Sequence, residues 1–473
     1  MIETHGLLIN GEWRKTKKTF EVRAPFDNSL LATVSEASEE DVKDAVTSAE
    51  SAFKKIKLTP SERYEILKKA SELLLERKEE FAKTLSLEAG KPIRDARLEV
   101  MRCASTLLNS AEEAKRIHGE EIPVAAAKGS ENRISFTIRE PIGIVCAISP
   151  FNFPMNLVCH KIGPAIAAGN SVVLKPASST HLSAINLVSV LIEAGLPKGL
   201  LNIVFGAGNT VGEWLLADQR IGLYTFTGSP KVGKRIKEAS GLRRVILELG
   251  SNSATIVHND ADIKKAATAC VRAGFAYAGQ ICISLQRLLV HKEIWESFLS
   301  EFTQLVENLK VGDPLDEAAD VGPLINEEAA IKAEEWIKEA EKKGARLLTG
   351  GKRKGSIVTP AVLTDVERTM RIVCFEAFAP VVSLIPYNTI DKAIDIVNDS
   401  EYGLQAGIFT KDLNIAFKAI KGIKVGGIMI NDTSLYRADM MPYGGVKNSG
   451  IGREGPRYAI EEMTDLKTVV INL

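Results

Sequence analysis

From about residue 143 the chain alternates between two periods. Short aliphatic, β-branched runs are separated by longer segments whose apolar residues recur at helical spacing. The runs Gly143–Ile148, Ser171–Lys175, Asn202–Phe205, Tyr224–Phe226 and Val245–Leu247 read as strands, preceded by Thr137–Arg139. Each gap leaves room for a helix. Parallel neighbours need a crossover of that size, so the pattern predicts a parallel sheet covered by helices. A second series follows at Ser253–Val257, Arg287–His291, Ile357–Thr359, Val381–Tyr387 and Ala406–Phe409, with Val425–Ile430 to close it. The expected fold class is α/β, with two parallel α/β layers joined near Gly250.

The first quarter reads differently. Leu7–Trp13 and Thr19–Val22 read as short strands with an Asn-Gly turn between them. Ser38 is a candidate N-cap, and helical spacing then continues through Ser61 to Ala89, with Ile66, Leu67, Ala70, Leu73 and Leu74 on one face. Gly90-Lys-Pro92 breaks the pattern, and a further helix is expected from Ile93 to His118. The last residues, Leu466–Leu473, form an apolar-rich strand whose edge invites pairing; an ordinary internal strand fits the residues equally well.

At 473 residues the chain exceeds one ordinary core, and two or three domains are expected. Sixty basic and sixty acidic residues cancel, which argues against nucleic acid or an anionic membrane as the main partner. The apolar runs are too short to span a bilayer, and no secretory signal precedes Leu7. Six scattered cysteines, without metal-ligand spacing, are expected to stay unpaired in a reducing cytoplasm.

Four motifs carry chemistry. Phe275-Ala-Tyr-Ala-Gly-Gln-Ile-Cys-Ile-Ser-Leu-Gln-Arg287 puts Cys282 after a Gly-Gln pair able to turn the backbone and before a buried strand. A thiol there is either a small buried hydrophobe or an exposed nucleophile. Ser149-Pro-Phe-Asn-Phe-Pro154 holds Asn152 between two prolines, in a loop that can aim an amide N–H or merely satisfy its own turn. Val245-Ile-Leu-Glu-Leu249 buries the carboxylate of Glu248, which is either paired or kept as a base. The fourth, Phe226-Thr-Gly-Ser-Pro-Lys-Val-Gly233, opens a helix after a strand. A tempting dinucleotide fingerprint, Gly206-Ala-Gly-Asn-Thr-Val-Gly212, fails because Val211 stands at the third glycine.

Along the chain, Ser149–Pro154, Phe226–Gly233, Leu247-Glu-Leu-Gly250 and Gly279-Gln-Ile-Cys282 come in an order and at separations that resemble the NAD(P)-dependent aldehyde dehydrogenase family, a resemblance that runs from Ile9-Asn-Gly-Glu-Trp13 to Gly445-Val-Lys-Asn-Ser-Gly450. The resemblance implies a cofactor domain (1–119 and 140–249), a catalytic domain (250–452) and an oligomerisation element (120–139 and 453–473) that makes a homodimer or homotetramer. It implies Cys282 as nucleophile, Asn152 as oxyanion donor and Glu248 as the base for deacylating water. It assigns NAD or NADP to Lys175, Ser178, Gly228, Ser229, Gly233, Glu376 and Phe378, with NADP accepted because Ser178 stands where a glutamate would repel a 2′-phosphate.

His160, Asn431-Asp-Thr433 and Arg437–Tyr443 resemble the branch acting on lactaldehyde, glyceraldehyde 3-phosphate, phosphonoacetaldehyde and sulfolactaldehyde. His160 is expected as a pocket wall, with Arg102 and Arg437 as a clamp for an anionic tail. Against the clamp stands local pairing, Arg437 with Asp439 and Arg102 with Glu99. The competing activities are transfer of the thioester to CoA, against which Glu248 counts, and a silent nucleotide-binding protein, which would be expected to lose Cys282 or Asn152.

Overall fold

The computed structural model describes residues 3–473. Its first sheet has eight strands in the spatial order Gly450–Ile451, Arg244–Glu248, Ile221–Thr227, Ile144–Ile148, Ser171–Lys175, Leu201–Ile203, Leu7–Ile9 and Glu12–Arg14. The five strands from Arg244–Glu248 to Leu201–Ile203 are parallel, and the outer ones antiparallel. From Ile144–Ile148 the chain adds strands first on one side and then on the other. The sheet order therefore reverses there, and a crevice opens at the carboxyl ends of the strands at such a reversal.

The second sheet has seven strands: Arg346–Thr349, Ala361–Thr364, Val381–Tyr387, Arg287–His291, Ala254–Val257, Gln405–Phe409 and Gly427–Ile430. All its pairings are parallel except the first. A three-stranded sheet is built from two distant excursions, Thr464–Asn472 pairing with Arg133–Pro141 over nine residues, and Glu121–Ile122 beyond it.

Several boundaries differ from expectation. The helix expected to run unbroken to Ala89 stops at Glu76 and restarts at Lys78. Arg77 leaves helical geometry there, stacking on Phe81 and pairing with Glu80 and Glu193. The next helix ends at Ala114, short of His118. Ile357–Val358 forms a two-stranded hairpin with Arg353–Lys354, and the sheet strand is Ala361–Thr364, after Pro360. Thr19–Arg23 joins Leu30–Ser35 and Thr4–His5 in a small separate sheet. Two pieces also cross the expected domain limits. Gly450–Ile451 pairs onto the first sheet, and Ala459, Ile460 and Met463, at the end of the helix Pro456–Glu462, pack into that sheet's core.

Candidate active site

The carboxyl ends of the first sheet lie level with one another. Register pairs Thr227 with Glu248, Phe226 with Ile148, and Ile148 with Lys175. The loop carrying Asn152, the Gly228-Ser229 turn, Lys175 and Glu248 therefore share one edge. Immediately after Glu248 the chain crosses to the second sheet. From that side comes the Cys282 turn, which leads into the central strand Arg287–His291.

That turn is wound left-handed over three residues, Tyr277, Ala278 and Gly279, with φ of 46°, 53° and 70°. Two of them carry side chains that disfavour this region by roughly 1–2 kcal/mol each. Tertiary contacts hold it there. The Tyr277 hydroxyl donates to the Ala89 carbonyl at 2.7 Å, and a Cβ on Gly279 would lie 2.2 Å from the Ala379 carbonyl oxygen. Asn152 Nδ2 donates to the carbonyl of Gln280 at 2.9 Å, tying its loop to the residues just before the thiol.

Cys282 Sγ and the Tyr443 hydroxyl are 2.9 Å apart, and the Arg437 guanidinium lies 3.6 Å from the centre of the Tyr443 ring. Burial pushes the Cys282 thiol up to about 12, against the pull of Tyr443 and of the Arg437 charge. Neither carboxylate oxygen of Glu248 has a hydrogen-bond partner among the described residues. Burial, and then the charge of Glu454, raise its pKa well above the carboxylate range. Glu454 is the contrary case. It accepts from Lys161 at 2.9 Å, Arg437 at 3.0 Å and the Thr227 hydroxyl at 3.3 Å, and the Lys161 and Arg437 charges hold its pKa well below the usual carboxylate range although it is buried.

A cavity of about 870 Å³ reaches Cys282 from the surface. One wall is the Asp95, Leu98, Glu99 and Arg102 face of the helix Ile93–Ala114; the facing wall is the helix Ile263–Phe275 with Lys265 and Arg272. Arg102 and Arg437 both line it, but their partners are neither of those expected. Arg102 is held by Asp439 at 2.8 Å, while Glu99 binds Lys91. Arg437 is held by Glu454, and is buried. His160 does not line this cavity. Its Nε2 lies 3.0 Å from Asp439 Oδ1 behind the wall, and burial lowers its pKa.

On the opposite side of the thiol, Lys175 is buried with one long contact, 3.5 Å to the Pro176 carbonyl, and burial lowers its pKa to about 8. An ammonium so poorly matched fits a site that receives an acceptor-rich ligand. Ser229 caps the helix Pro230–Ser240, and Gly233 lets that helix lie against Leu249, where a Cβ would come within 2.5 Å. Ser178 is exposed beside Gly206, to whose carbonyl it donates at 3.4 Å. Glu376 accepts from the Ser251 N–H at 2.9 Å, and burial raises it to about 7. Phe378 sits at φ 52° with its ring edge-on to Phe151 at 5.8 Å. The segment Gly206–Gly212 forms a π-helical turn at Gly208–Gly212, with Val211 buried against Gly206. Tyr443, Glu454 and Lys161 were not singled out from sequence. Lys161 had a signal, being the one charge in the apolar run Leu157–Ile166.

A doubly wound parallel sheet with a crevice at its reversal point, meeting a second α/β sheet at a cavity with a thiol at its base, belongs to the class of nucleotide-dependent oxidoreductases. The aldehyde dehydrogenase family matches residues 13–469, and the chain belongs to that family. It is an NAD(P)-dependent aldehyde dehydrogenase. It is 53% identical over 472 residues to 3-sulfolactaldehyde dehydrogenase of Priestia aryabhattai, covering 100% of this chain and 99% of that one. Among solved structures it resembles glyceraldehyde-3-phosphate dehydrogenase GapN of Methanocaldococcus jannaschii complexed with NADP (TM-score 0.93, 41% identity, 97% of this chain and 100% of that one). It also resembles aldehyde dehydrogenase 21 of Physcomitrella patens in complex with succinate (TM-score 0.97, 39% identity, 100% and 99%). No helix among the described residues is long and apolar enough to cross a membrane.

Proposed function

We propose that this enzyme oxidises a short aldehyde bearing a hydroxyl and an anionic tail, of the sulfolactaldehyde type, to its carboxylate through a thioester on Cys282. The observation that carries the reading is the convergence of three groups. A half-buried thiol sits beside a phenol whose ring lies under a guanidinium, an amide is tied to the turn before the thiol, and a buried carboxylate has no hydrogen-bond partner among the described residues.

The Cys282 proton passes to solvent water in the open cavity, the sulfur attacks the carbonyl carbon, and Tyr443 and Arg437 favour the developing thiolate. The alkoxide forms where Asn152 offers its second amide N–H, the first being spent on Gln280; one such preorganised donor contributes about 3 kcal/mol. NAD(P), when bound, would supply the hydride acceptor; Lys175, Ser178, Gly228, Ser229 and Gly233 would hold it on the nucleotide side and Glu376 and Phe378 at the nicotinamide riboside. Glu248 then takes a proton from the water that opens the thioester. A carboxylate kept at raised pKa by burial is suited to that task. Ser178 offers a hydroxyl and no negative charge, so NADP is accepted.

The tail is read by Arg102, with Lys265 and Arg272 on the facing wall. Arg437 belongs to the reaction centre. The three-stranded sheet, with Ile134, Ile138, Leu466 and Val470 exposed on it, joins subunits into a homo-oligomer. An aldehyde panel with charged and neutral members, followed at 340 nm with NAD and with NADP, tests the whole. Charged hydroxyaldehydes should be favoured in kcat/KM by tenfold or more, and Cys282→Ala should abolish turnover while NADP still binds. Equal rates on propanal and on a sulfonated aldehyde would remove the substrate assignment.

A further inference from the structure

The ion pair between Lys91 and Glu99 takes no part in the steps above, yet it touches both segments that those steps depend on. Glu99 is fully buried. Its Oε1 accepts the backbone N–H groups of Met155 at 3.0 Å and Asn156 at 3.1 Å, and its Oε2 accepts from Lys91. The helix Asn156–Ala167 has no side-chain cap of its own, so a carboxylate from another helix fills the place. This pins the chain three and four residues after Asn152.

The Lys91 ammonium lies 3.7 Å from the centre of the Phe153 ring and 4.6 Å from that of Tyr277. Phe153 is the residue after Asn152, and Tyr277 begins the left-handed turn that delivers Cys282. One buried cation therefore bridges the two catalytic loops through their aromatic faces. A buried ion pair is a poor source of net stability compared with an apolar filling of the same volume. What this one gives that an apolar filling would not is direction: two N–H groups aimed at a carboxylate, and two rings drawn to one cation.

We infer that Lys91 and Glu99 are a positioning pair that sets the Asn152 amide against Cys282. Glu99 fixes the exit of the Asn152 loop, and Lys91 fastens that loop to the nucleophile turn. The inference rests on the reading of Asn152 as oxyanion donor. A double-mutant cycle separates the two. Glu99→Gln, Lys91→Met and Asn152→Ala are made singly, and each of the first two is also combined with the third. The rate constant of the first NADPH burst is measured on propanal, together with KM for NADP and KM for the aldehyde.

Lys91→Met and Glu99→Gln should each slow the burst by about ten- to a hundredfold, the scale expected for an ångström of misplacement, with KM for NADP within about twofold. On the Asn152→Ala background each should cost less than about threefold more, because the group they position is gone. A full loss on that background, or none in the parent, overturns the pair's role. If Asn152→Ala itself leaves the burst unchanged, the oxyanion reading falls and the inference with it. Should a single variant fail to fold, the combined Lys91→Met/Glu99→Gln variant buries no charge and keeps a carbonyl oxygen for Met155 and Asn156. The same cycle run with it must show a deficit that vanishes with Asn152.

Discussion

The two sides of Cys282 handle buried charge in opposite ways. Near the thiol and the substrate cavity, several buried charges are paired: Lys91 with Glu99, Lys161 and Arg437 with Glu454, and Asp439 with the half-exposed Arg102. On the cofactor side Lys175 has one long contact to a carbonyl, and Glu376 has a single backbone N–H. Glu248, at the boundary, has no partner at all among the described residues. Burying an unpaired charge is costly, so a fold retains one only where a ligand or a proton will complete it. The paired side is scaffold, fixed before substrate arrives. The unpaired side is tuned to what binds.

The comparison is broken most severely at Glu248. Glu248→Gln should lower steady-state turnover by about 10²–10⁴-fold, the range for loss of a general base, while an NADPH burst of one equivalent per site survives. Wild-type turnover would mean that another group activates water and that the missing partner of Glu248 has no chemical meaning.

Arg437 tests the paired side. Arg437→Ala leaves Glu454 with one cation fewer, and breaking a buried pair costs about 3–5 kcal/mol. A lower melting temperature is expected, with a loss in kcat/KM that is the same on propanal and on an anionic aldehyde. A loss confined to the anionic aldehyde would return Arg437 to the tail site.

Lys175 tests the unpaired side through pH. Its folded pKa of about 8 lies below the ordinary lysine value of 10.5, because burial disfavours the ammonium. Between those values the unfolded chain holds the proton that the folded chain has released, so the apo enzyme gains stability as pH rises from about 8 to 10.5. The gain should be on the order of 2 kcal/mol, measured by denaturant unfolding. It should vanish in Lys175→Met, and shrink in saturating NADP, which restores a partner to the ammonium. An equal pH dependence in Lys175→Met would assign it to other groups.

The smallest effect is expected at the cavity wall. Arg102→Ala should cost about tenfold in kcat/KM on an anionic aldehyde, since a charged hydrogen bond contributes about 1.5–3 kcal/mol and Asp439 already takes part of this one. Propanal should be unaffected. Equal losses on both would make Arg102 a structural partner of Asp439.

The strand-helix alternation was legible because each parallel strand writes its own short apolar run, whatever it pairs with. The first-sheet strands Ile144–Ile148 and Ser171–Lys175 lie where their aliphatic runs are. Ile357–Thr359 misled because two residues of hairpin and four of an inner sheet strand look alike, and only the pairing of Ala361–Thr364 with Arg346–Thr349 and Val381–Tyr387 tells them apart. The Glu76–Lys78 break was hidden because it comes from contacts of Arg77 with Phe81 and Glu193, not from a glycine or proline. Among the site residues, Cys282, Asn152 and Glu248 stand out for their local setting: after a turn, between prolines, inside an apolar strand.

The sequence by itself determined two parallel α/β layers, the motifs that bring a thiol, an amide and a carboxylate to their junction, and membership of a dehydrogenase family. Those are local matters of period, turn chemistry and motif order. Only the tertiary structure decided which charges are neutralised. Arg437 could have met Asp439, two residues away, but met Glu454; Arg102 could have met Glu99, three residues before it on the same helix, but met Asp439, 337 positions later. The reason is energetic. A buried ion takes the partner that the packed core brings within about 3 Å, because the desolvation cost of remaining unpaired outweighs any preference for a sequence neighbour.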